Sequence, residues 1–138
     1  MDWTFRAPWW LPGGNLQTLW AALVARSHDG DEPRFRRERW TTPDGDFVDV
    51  DHAEHATNDR APVLVVFHGL EGSSSSAYVR AFASWAREQR LPMAMPHFRG
   101  CSGELNLAPR AYHSGDHEEI DWMLSKVQDS HPGRALIA

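Results

Sequence analysis

Apolar residues along this chain form short continuous runs and longer stripes at helical spacing. The run from Pro62 to Phe67 predicts a strand that is buried on both faces. His68 and the glycine-rich residues 69–72 then break the run, and a helical pattern follows from Ala77 to Arg90. This succession predicts a buried strand that turns sharply into a helix.

Three stripes of apolar residues predict three amphipathic helices. The first helix begins at Asn15, extends to about Arg26 and is expected to pack its stripe against the body of the protein. A helix that lies on a membrane surface would have the same stripe, but the polar face of this helix is not basic. The third begins between Ser114 and Asp116 and ends before Pro132. The predicted buried stripes are Leu16, Leu19, Trp20, Leu23 and Val24 in the first helix, Tyr78, Phe82, Trp85 and Ala86 in the second, and Ile120, Met123, Leu124 and Val127 in the third.

Further strands are predicted on both sides of the central run. Residues 35–42 and 47–52 flank Pro43-Asp44-Gly45-Asp46, a strong turn signal, and form a charge-paired edge hairpin. Residues 91–98 form a strand parallel to the central one, and residues 134–138 begin another. The order of elements predicts an α/β fold that begins with a β-hairpin and continues with parallel strands and crossover helices.

Composition narrows the functional classes. A length of 138 residues, 41% of them hydrophobic, suits one domain with a hydrophobic core. The net charge of -5 argues against a nucleic-acid partner. The first residues lack a signal-peptide pattern, no apolar run suits a membrane span, and Cys101 has no partner for a disulfide, so we expect a cytoplasmic protein.

The turn after the central strand is the first candidate for chemistry. Gly69 and Gly72 leave backbone N–H groups free to bind negative charge, as an oxyanion hole requires. The alternative is a plain connection between strand and helix that binds nothing. A phosphate-binding Walker loop is disfavoured, because no lysine stands near the start of the helix.

Other residues offer weaker candidates. Cys101 lies near Arg99, His97 and His113, a setting that could activate a thiol. His113 and His117 could share a helix face with Asp116 as a metal pair, but no His-Glu-x-x-His motif is present. Residues 73–76 are serines without the flanking glycines of a nucleophile elbow. We therefore expect no metal site and no cofactor.

Five motifs in order point to a known family. With these motifs the chain resembles the YheT-like family of α/β-hydrolases, candidate esterases and lipases. The motifs are Leu16-Gln17-Thr18, Pro43-Asp44-Gly45-Asp46-Phe47-Val48-Asp49, Phe67-His68-Gly69-Leu70-Glu71-Gly72, His97-Phe98-Arg99-Gly100-Cys101-Ser102-Gly103-Glu104 and Tyr112-His113-Ser114-Gly115.

The resemblance implies a serine-type carboxylic ester hydrolase that acts on a small-molecule ester. It assigns the backbone N–H of Leu70 as an oxyanion donor and His68, Gly69, Gly72 and Arg99 as residues that support the motif. The nucleophile is expected in a Gly-x-Ser-x-Gly elbow after the fifth strand, with the Asp and His later still, so all three would lie beyond Ala138.

The resemblance also gives an expected domain organisation. Residues 1–138 would form a partial α/β-hydrolase domain, with an amino-terminal segment and helix at 1–30 and the start of the hydrolase sheet at 31–138. Such a fragment would be inactive by itself. The alternative is a truncated, non-catalytic binding or interaction module.

Overall fold

The computed structural model describes residues 6–23, 31–70, 72–113 and 115–138. The helices in these residues are α1 (Gly14–Leu23), α2 (Ala77–Gln89) and α3 (His117–Ser130). The strands are β1 (Phe35–Thr41), β2 (Phe47–Ala53), β3 (Val63–Val65), β4 (Met93–Pro96) and β5 (Leu136–Ile137). Along the chain, β1 and β2 follow α1, and α2 and α3 separate β3, β4 and β5.

The five strands form one mixed sheet in the order β1-β2-β4-β3-β5. β1 and β2 are an antiparallel hairpin, and β2 is antiparallel to β4. β3 lies between β4 and β5 and is parallel to both. This topology confirms the predicted start of an α/β-hydrolase fold, and it brings the carboxyl ends of β3, β4 and β5 to one edge of the sheet.

The hairpin prediction is confirmed with small shifts in its ends. Gly45 adopts a φ of +81° between the two strands, a conformation that glycine reaches without strain. β1 lies at one edge of the sheet, and its arginines pair with carboxylates of β2, as in the contacts Arg37–Asp51 and Arg39–Asp49. The charged edge is consistent with protection against pairing with other chains.

Two apolar clusters cover the two faces of the sheet. Alternation along β3 sends Val63 and Val65 into one cluster and Leu64 into the other, so this strand is buried on both faces as predicted. The first cluster also holds Trp40, Val48, Val50, Ala94, Phe98, Met123 and Val127, and the second holds Val66, Val79, Ala83, Ala86, Leu91, Met93 and Met95. α3 therefore packs on one face and α2 on the other.

The predicted buried stripe of α2 is wrong for its three aromatic residues. Tyr78, Phe82 and Trp85 are 42%, 46% and 46% exposed, whereas the buried residues are Val79, Ala83, Ser84 and Ala86. Small side chains let α2 approach the sheet closely, and the aromatic residues lie on the side of α2 next to that contact. Both stripes are apolar with helical spacing, so periodicity alone does not separate them.

The predicted burial of α1 is also wrong where the structure describes it. Leu16, Leu19 and Trp20 are 49%, 53% and 39% exposed, and Trp20 makes an edge-to-face contact with Trp10 at 4.9 Å between ring centroids. The predicted helix end near Arg26, together with Val24, lies outside the described residues.

The remaining elements follow the prediction with local changes. β4 is limited to four residues, and α3 begins after Asp116, whose side chain accepts a hydrogen bond from the Glu119 N–H. Met123 and Val127 are buried, and Ile120 and Leu124 are half-buried. In the part of the chain that the structure describes, no helix combines the length and apolarity that a bilayer crossing requires.

Candidate active site in the loop after β3

His68 fixes the chain at the point where it leaves β3. Its ring is 4% exposed, and its Nε2 accepts the backbone N–H of Phe98 at 3.0 Å. Nε2 is therefore unprotonated, and the ring proton lies on Nδ1, which donates to the carbonyl oxygen of Gly69 at 2.7 Å. Burial lowers the pKa of His68 and keeps the ring neutral, although the bond to Gly69 opposes this shift. The ring thus joins the end of β4 to the loop after β3.

The two hydrogen bonds on the Gly69 carbonyl orient the next N–H. The Gly69 oxygen accepts from His68 Nδ1 and from the backbone N–H of Gly72 at 2.9 Å. In a planar trans peptide, the C=O of Gly69 and the N–H of Leu70 point in opposite directions. The Leu70 N–H therefore points away from the bonds that hold the loop, and it has no acceptor among the described residues, while the Leu70 side chain is 88% exposed.

Gly72 stands where no side chain fits. A Cβ at this position would lie 2.7 Å from the hydroxyl oxygen of Tyr78 and 2.9 Å from Cβ of His68. Gly69, in contrast, has no described atom within 4 Å of where its Cβ would be. The loop needs glycine at 72 for close packing, whereas neither packing nor a positive φ requires glycine at 69.

Arg99 holds the neighbouring loop through a buried ion cluster. Its side chain is 2% exposed; Nε contacts Glu119 Oε1 at 2.6 Å, and Nη1 contacts Asp46 Oδ2 at 3.0 Å. Asp44 completes the cluster with a bond from Nη2 at 3.0 Å, and this bond, together with a weaker effect of the Thr42 hydroxyl, lowers the pKa of Asp44 to about 2. Arg99 thereby joins the hairpin turn, the end of β4 and the first turn of α3.

Asp46 is the most heavily hydrogen-bonded carboxylate of this cluster. It accepts the backbone N–H groups of Phe47, Leu107 and Ala108 and the side-chain amide of Asn106. Burial opposes its ionisation, but these bonds hold the pKa of Asp46 well below its usual range. Asp46 therefore fastens the 106–108 segment onto the start of β2.

A second polar cluster lies where His97 follows β4, and it joins two buried residues, Asp51 and His97, to the partly exposed Arg37. Asp51 accepts two bonds from Arg37, at 2.8 and 2.9 Å, and one from His97 Nε2 at 2.8 Å. Burial opposes the ionisation of Asp51, but hydrogen bonds from Arg37, His97 and Ser74 keep its pKa well below the usual range. His97 is 1% exposed, and its Nδ1 faces the Cys101 carbonyl at 3.3 Å. This cluster is a framework beneath the loops rather than a reactive surface.

The other sequence candidates gain no catalytic geometry. Cys101 is half-buried, and its thiol is 3.8 Å from the Arg99 carbonyl, while His97 directs its ring nitrogens to Asp51 and to a backbone oxygen. Ser73 and Ser75 hydrogen bond to each other at 2.6 Å. Across residues 6–23, 31–70, 72–113 and 115–138, no three His, Cys, Asp or Glu side chains gather as a metal site.

Comparison with curated proteins shows the family. Over 92 residues the chain is 46% identical to the candidate esterase YheT of Escherichia coli (strain K12), a match that covers 66% of this chain and 27% of that protein. The chain belongs to the YheT-like family of α/β-hydrolases. It is also 33% identical over 93 residues to an abhydrolase domain-containing protein of Dictyostelium discoideum, covering 65% of this chain and 24% of that one. The phospholipase ABHD3 of Bos taurus is 25% identical over 111 residues, 76% of this chain and 27% of that one.

Solved structures carry the same fold at low sequence identity. An alpha-beta serine hydrolase homologue from Coxiella burnetii is 15% identical with a TM-score of 0.55, over 73% of this chain and 49% of that one. The carboxylesterase EstE1, cloned from a metagenomic library, is 16% identical with a TM-score of 0.54, over 83% of this chain and 36% of that one. No family model matches the chain. The YheT-like chain spans about a quarter of the length of the curated relatives it matches.

Sequence reasoning found the loop of this YheT-like chain but missed two of its supports. Tyr78 was expected in the core, yet its hydroxyl reaches the loop. The signal was that a tyrosine hydroxyl needs a hydrogen-bond partner when its ring packs on the protein. The Asp51–His97 pair joins residues 46 positions apart, and no sequence signal identified this contact.

Proposed function

We propose that the protein carrying this chain is a serine-type carboxylic ester hydrolase, and that these 138 residues supply an oxyanion donor without the nucleophile, acid or base. One observation carries the proposal: the Leu70 N–H points outward from a fixed loop at the carboxyl edge of the sheet. The family relationship and the likeness to esterase structures support the same chemistry.

The proposed role of Leu70 follows from where charge develops in ester hydrolysis. Attack on the acyl carbon transfers negative charge to the acyl oxygen, and a donor that is already oriented stabilises that charge without reorganising. The Leu70 N–H would donate to this oxygen, and a second N–H, next to the nucleophile, would complete the oxyanion hole. His68 and Gly72 would act indirectly by holding the Gly69 carbonyl.

The strand order supports the proposed position of the nucleophile. β5 pairs in parallel with β3, through Val63 with Leu136 and Leu64 with Ile137. A nucleophile elbow after such a strand would stand beside the loop after β3, at the same edge of the sheet. The 138 residues contain no Gly-x-Ser-x-Gly sequence, so the proposal places the elbow outside them.

The test compares the 138-residue chain with the product of the complete reading frame, using p-nitrophenyl acetate as substrate. We expect esterase activity in the longer protein and background rates in the shorter one, because a lone oxyanion donor has no nucleophile to assist. Activity of the 138-residue chain that is abolished by Cys101→Ala would overturn the proposal in favour of the thiol. An inactive longer protein would favour a binding or interaction module.

The donor assignment has its own pair of variants in the longer protein. Leu70→Pro removes the N–H, and we expect kcat to fall roughly 100- to 1,000-fold. Leu70→Ala keeps the N–H and removes only an exposed side chain, so it should be far milder. Equal activity in the two folded variants would show that the Leu70 N–H is not the donor.

A further inference from the structure

The two peptide groups on either side of Gly69 are held by different partners. The Gly69 carbonyl, in the peptide that also contains the Leu70 N–H, is held by His68 and Gly72. The Gly69 N–H, in the preceding peptide, donates to the hydroxyl oxygen of Tyr78 at 2.9 Å. Glycine has the widest conformational freedom of any residue, so both peptide planes must be held if the Leu70 N–H is to keep one direction.

Tyr78 is suited to this contact by its place in α2. It is the second residue of the helix, and its ring lies on the exposed flank while its hydroxyl reaches back to the loop. Phe82, one turn further along, has a similar exposure but no hydroxyl. A phenol oxygen accepts a hydrogen bond that a phenyl ring cannot accept.

The packing at Gly72 shows that the hydroxyl is built into the loop. A Cβ at residue 72 would come within 2.7 Å of the Tyr78 oxygen, so the loop and the hydroxyl occupy adjoining space that leaves no room for a methyl group. The same hydroxyl accepts a hydrogen bond from Gly69, one of the two consecutive N–H groups of the loop. The Gly69 N–H is used within the loop, whereas the Leu70 N–H has no acceptor in the described part of the chain.

We propose that Tyr78 is a positioning residue for the oxyanion donor: by accepting the Gly69 N–H, its hydroxyl fixes the loop so that the Leu70 N–H faces the acyl oxygen of the substrate. This inference rests on the proposed ester hydrolase function. Tyr78 itself does not contact the reacting atoms, so its effect should appear in the rate of the chemical step and not in substrate affinity.

The first arm of the test measures the loop contact in the 138-residue chain, without any need for activity. Amide proton exchange by NMR should be about fivefold faster at Gly69 in Tyr78→Phe than in the unmodified chain, the change that corresponds to one lost neutral hydrogen bond. Exchange at Leu64, whose N–H bonds to the Pro92 carbonyl within the sheet, should not change and reports that the fold is intact. Phe82→Leu is the matched control and should leave Gly69 exchange as it was.

The second arm measures kinetics in the product of the complete reading frame. Tyr78→Phe should lower kcat with p-nitrophenyl acetate about 10- to 100-fold at nearly constant KM, because a misdirected donor weakens only the transition state. Phe82→Leu should keep kcat within about twofold of the unmodified protein, because it leaves the Gly69 bond in place.

Each result has a separate meaning. Faster Gly69 exchange together with a lower kcat at constant KM supports the positioning role. An unchanged kcat, or a raised KM at constant kcat, in an active protein overturns it. An inactive parent protein overturns the proposed function and the catalytic part of this inference, even if the Gly69 contact is confirmed by exchange.

Discussion

Replacing Arg99 by methionine tests how much the buried ion cluster stabilises the fold. Methionine keeps much of the side-chain volume and removes the charge that faces Asp44, Asp46 and Glu119. The side chains of Asp46 and Glu119 are 0% and 3% exposed, so their carboxylates would lose a buried partner. Removing one partner of a buried ion pair typically costs about 3 to 5 kcal/mol of unfolding free energy.

The structure places the expected loss for Arg99→Met at the lower end of that range. Asp46 keeps the N–H groups of Phe47, Leu107 and Ala108 and the amide of Asn106, so it remains well hydrogen-bonded. Glu119 does not, because its Oε2 has no hydrogen-bond partner among the residues that the structure describes, and Oε1 would lose the Arg99 Nε. We expect a loss of about 3 kcal/mol, most of it from Glu119.

Urea unfolding of the 138-residue chain at pH 7, followed by tryptophan fluorescence and circular dichroism, measures this loss. With a slope near 2 kcal/mol per molar urea, the midpoint should fall by about 1.5 M at unchanged slope. Arg36→Met is the matched control: Arg36 is 57% exposed and pairs with Glu38 at 3.6 Å, so its loss should be below about 1 kcal/mol. Adding Glu119→Gln to Arg99→Met should recover part of the lost stability, because it removes the uncompensated charge.

The pH dependence provides the check on the electrostatic cause. Hydrogen bonds from Arg99 and, to a smaller extent, Thr42 lower the pKa of Asp44 from 3.8 to about 2, so ionisation of Asp44 contributes stability above pH 3.8 that is lost as the pH falls toward 2. Arg99→Met lacks the larger part of this contribution, so its deficit relative to the unmodified chain should shrink in the same pH window. A deficit equal to that of Arg36→Met, or one that is constant between pH 7 and pH 3, would refute the electrostatic argument.

Three further predictions concern the loop, its histidine and the corrected helix face. Gly72→Ala should slow p-nitrophenyl acetate hydrolysis by the longer protein and lower its melting temperature, whereas Gly69→Ala should be milder, because only Gly72 lacks room for a Cβ. Burial lowers the pKa of His68 below 6.5, so the free energy of unfolding should decrease as the pH falls below 6.5; an NMR titration that gives a ring pKa above 6.5 would contradict this. Phe82→Ser should cost the 138-residue chain much less than the roughly 3 to 5 kcal/mol of a core phenylalanine, and Met95→Ala should cost about 2 to 5 kcal/mol, both measured by urea unfolding.

Local patterns were sufficient to predict the elements of the sheet. The apolar run that contains β3 is buried on both faces, and the turn signal at Pro43 to Asp46 lies between two paired strands. Both features depend on interactions between residues close in sequence, or on the total burial of a strand. The order strand, helix, strand then predicted that β4 is parallel to β3.

Only the tertiary structure decided which side of α2 meets the sheet. In α2, Val79 and Ala83 form one apolar row and Tyr78 and Phe82 form an adjacent one, and the sheet accepts the smaller row because it allows close approach. The hydroxyl of Tyr78 could be assigned to the loop only after this rotation of the helix was known.

The candidate site also has one part that the sequence determined and one part that only the tertiary structure decided. The sequence determined that a glycine-rich turn with His68 follows the central strand, because that information lies in consecutive residues. The direction of the Leu70 N–H depends on the bonds that Gly69 makes with Gly72, Tyr78 and His68. The His68 ring is itself held by the N–H of Phe98, thirty residues along the chain. Hydrogen bonds between residues that are distant in sequence form only when the folded chain brings those residues together. Local periodicity therefore does not predict such bonds.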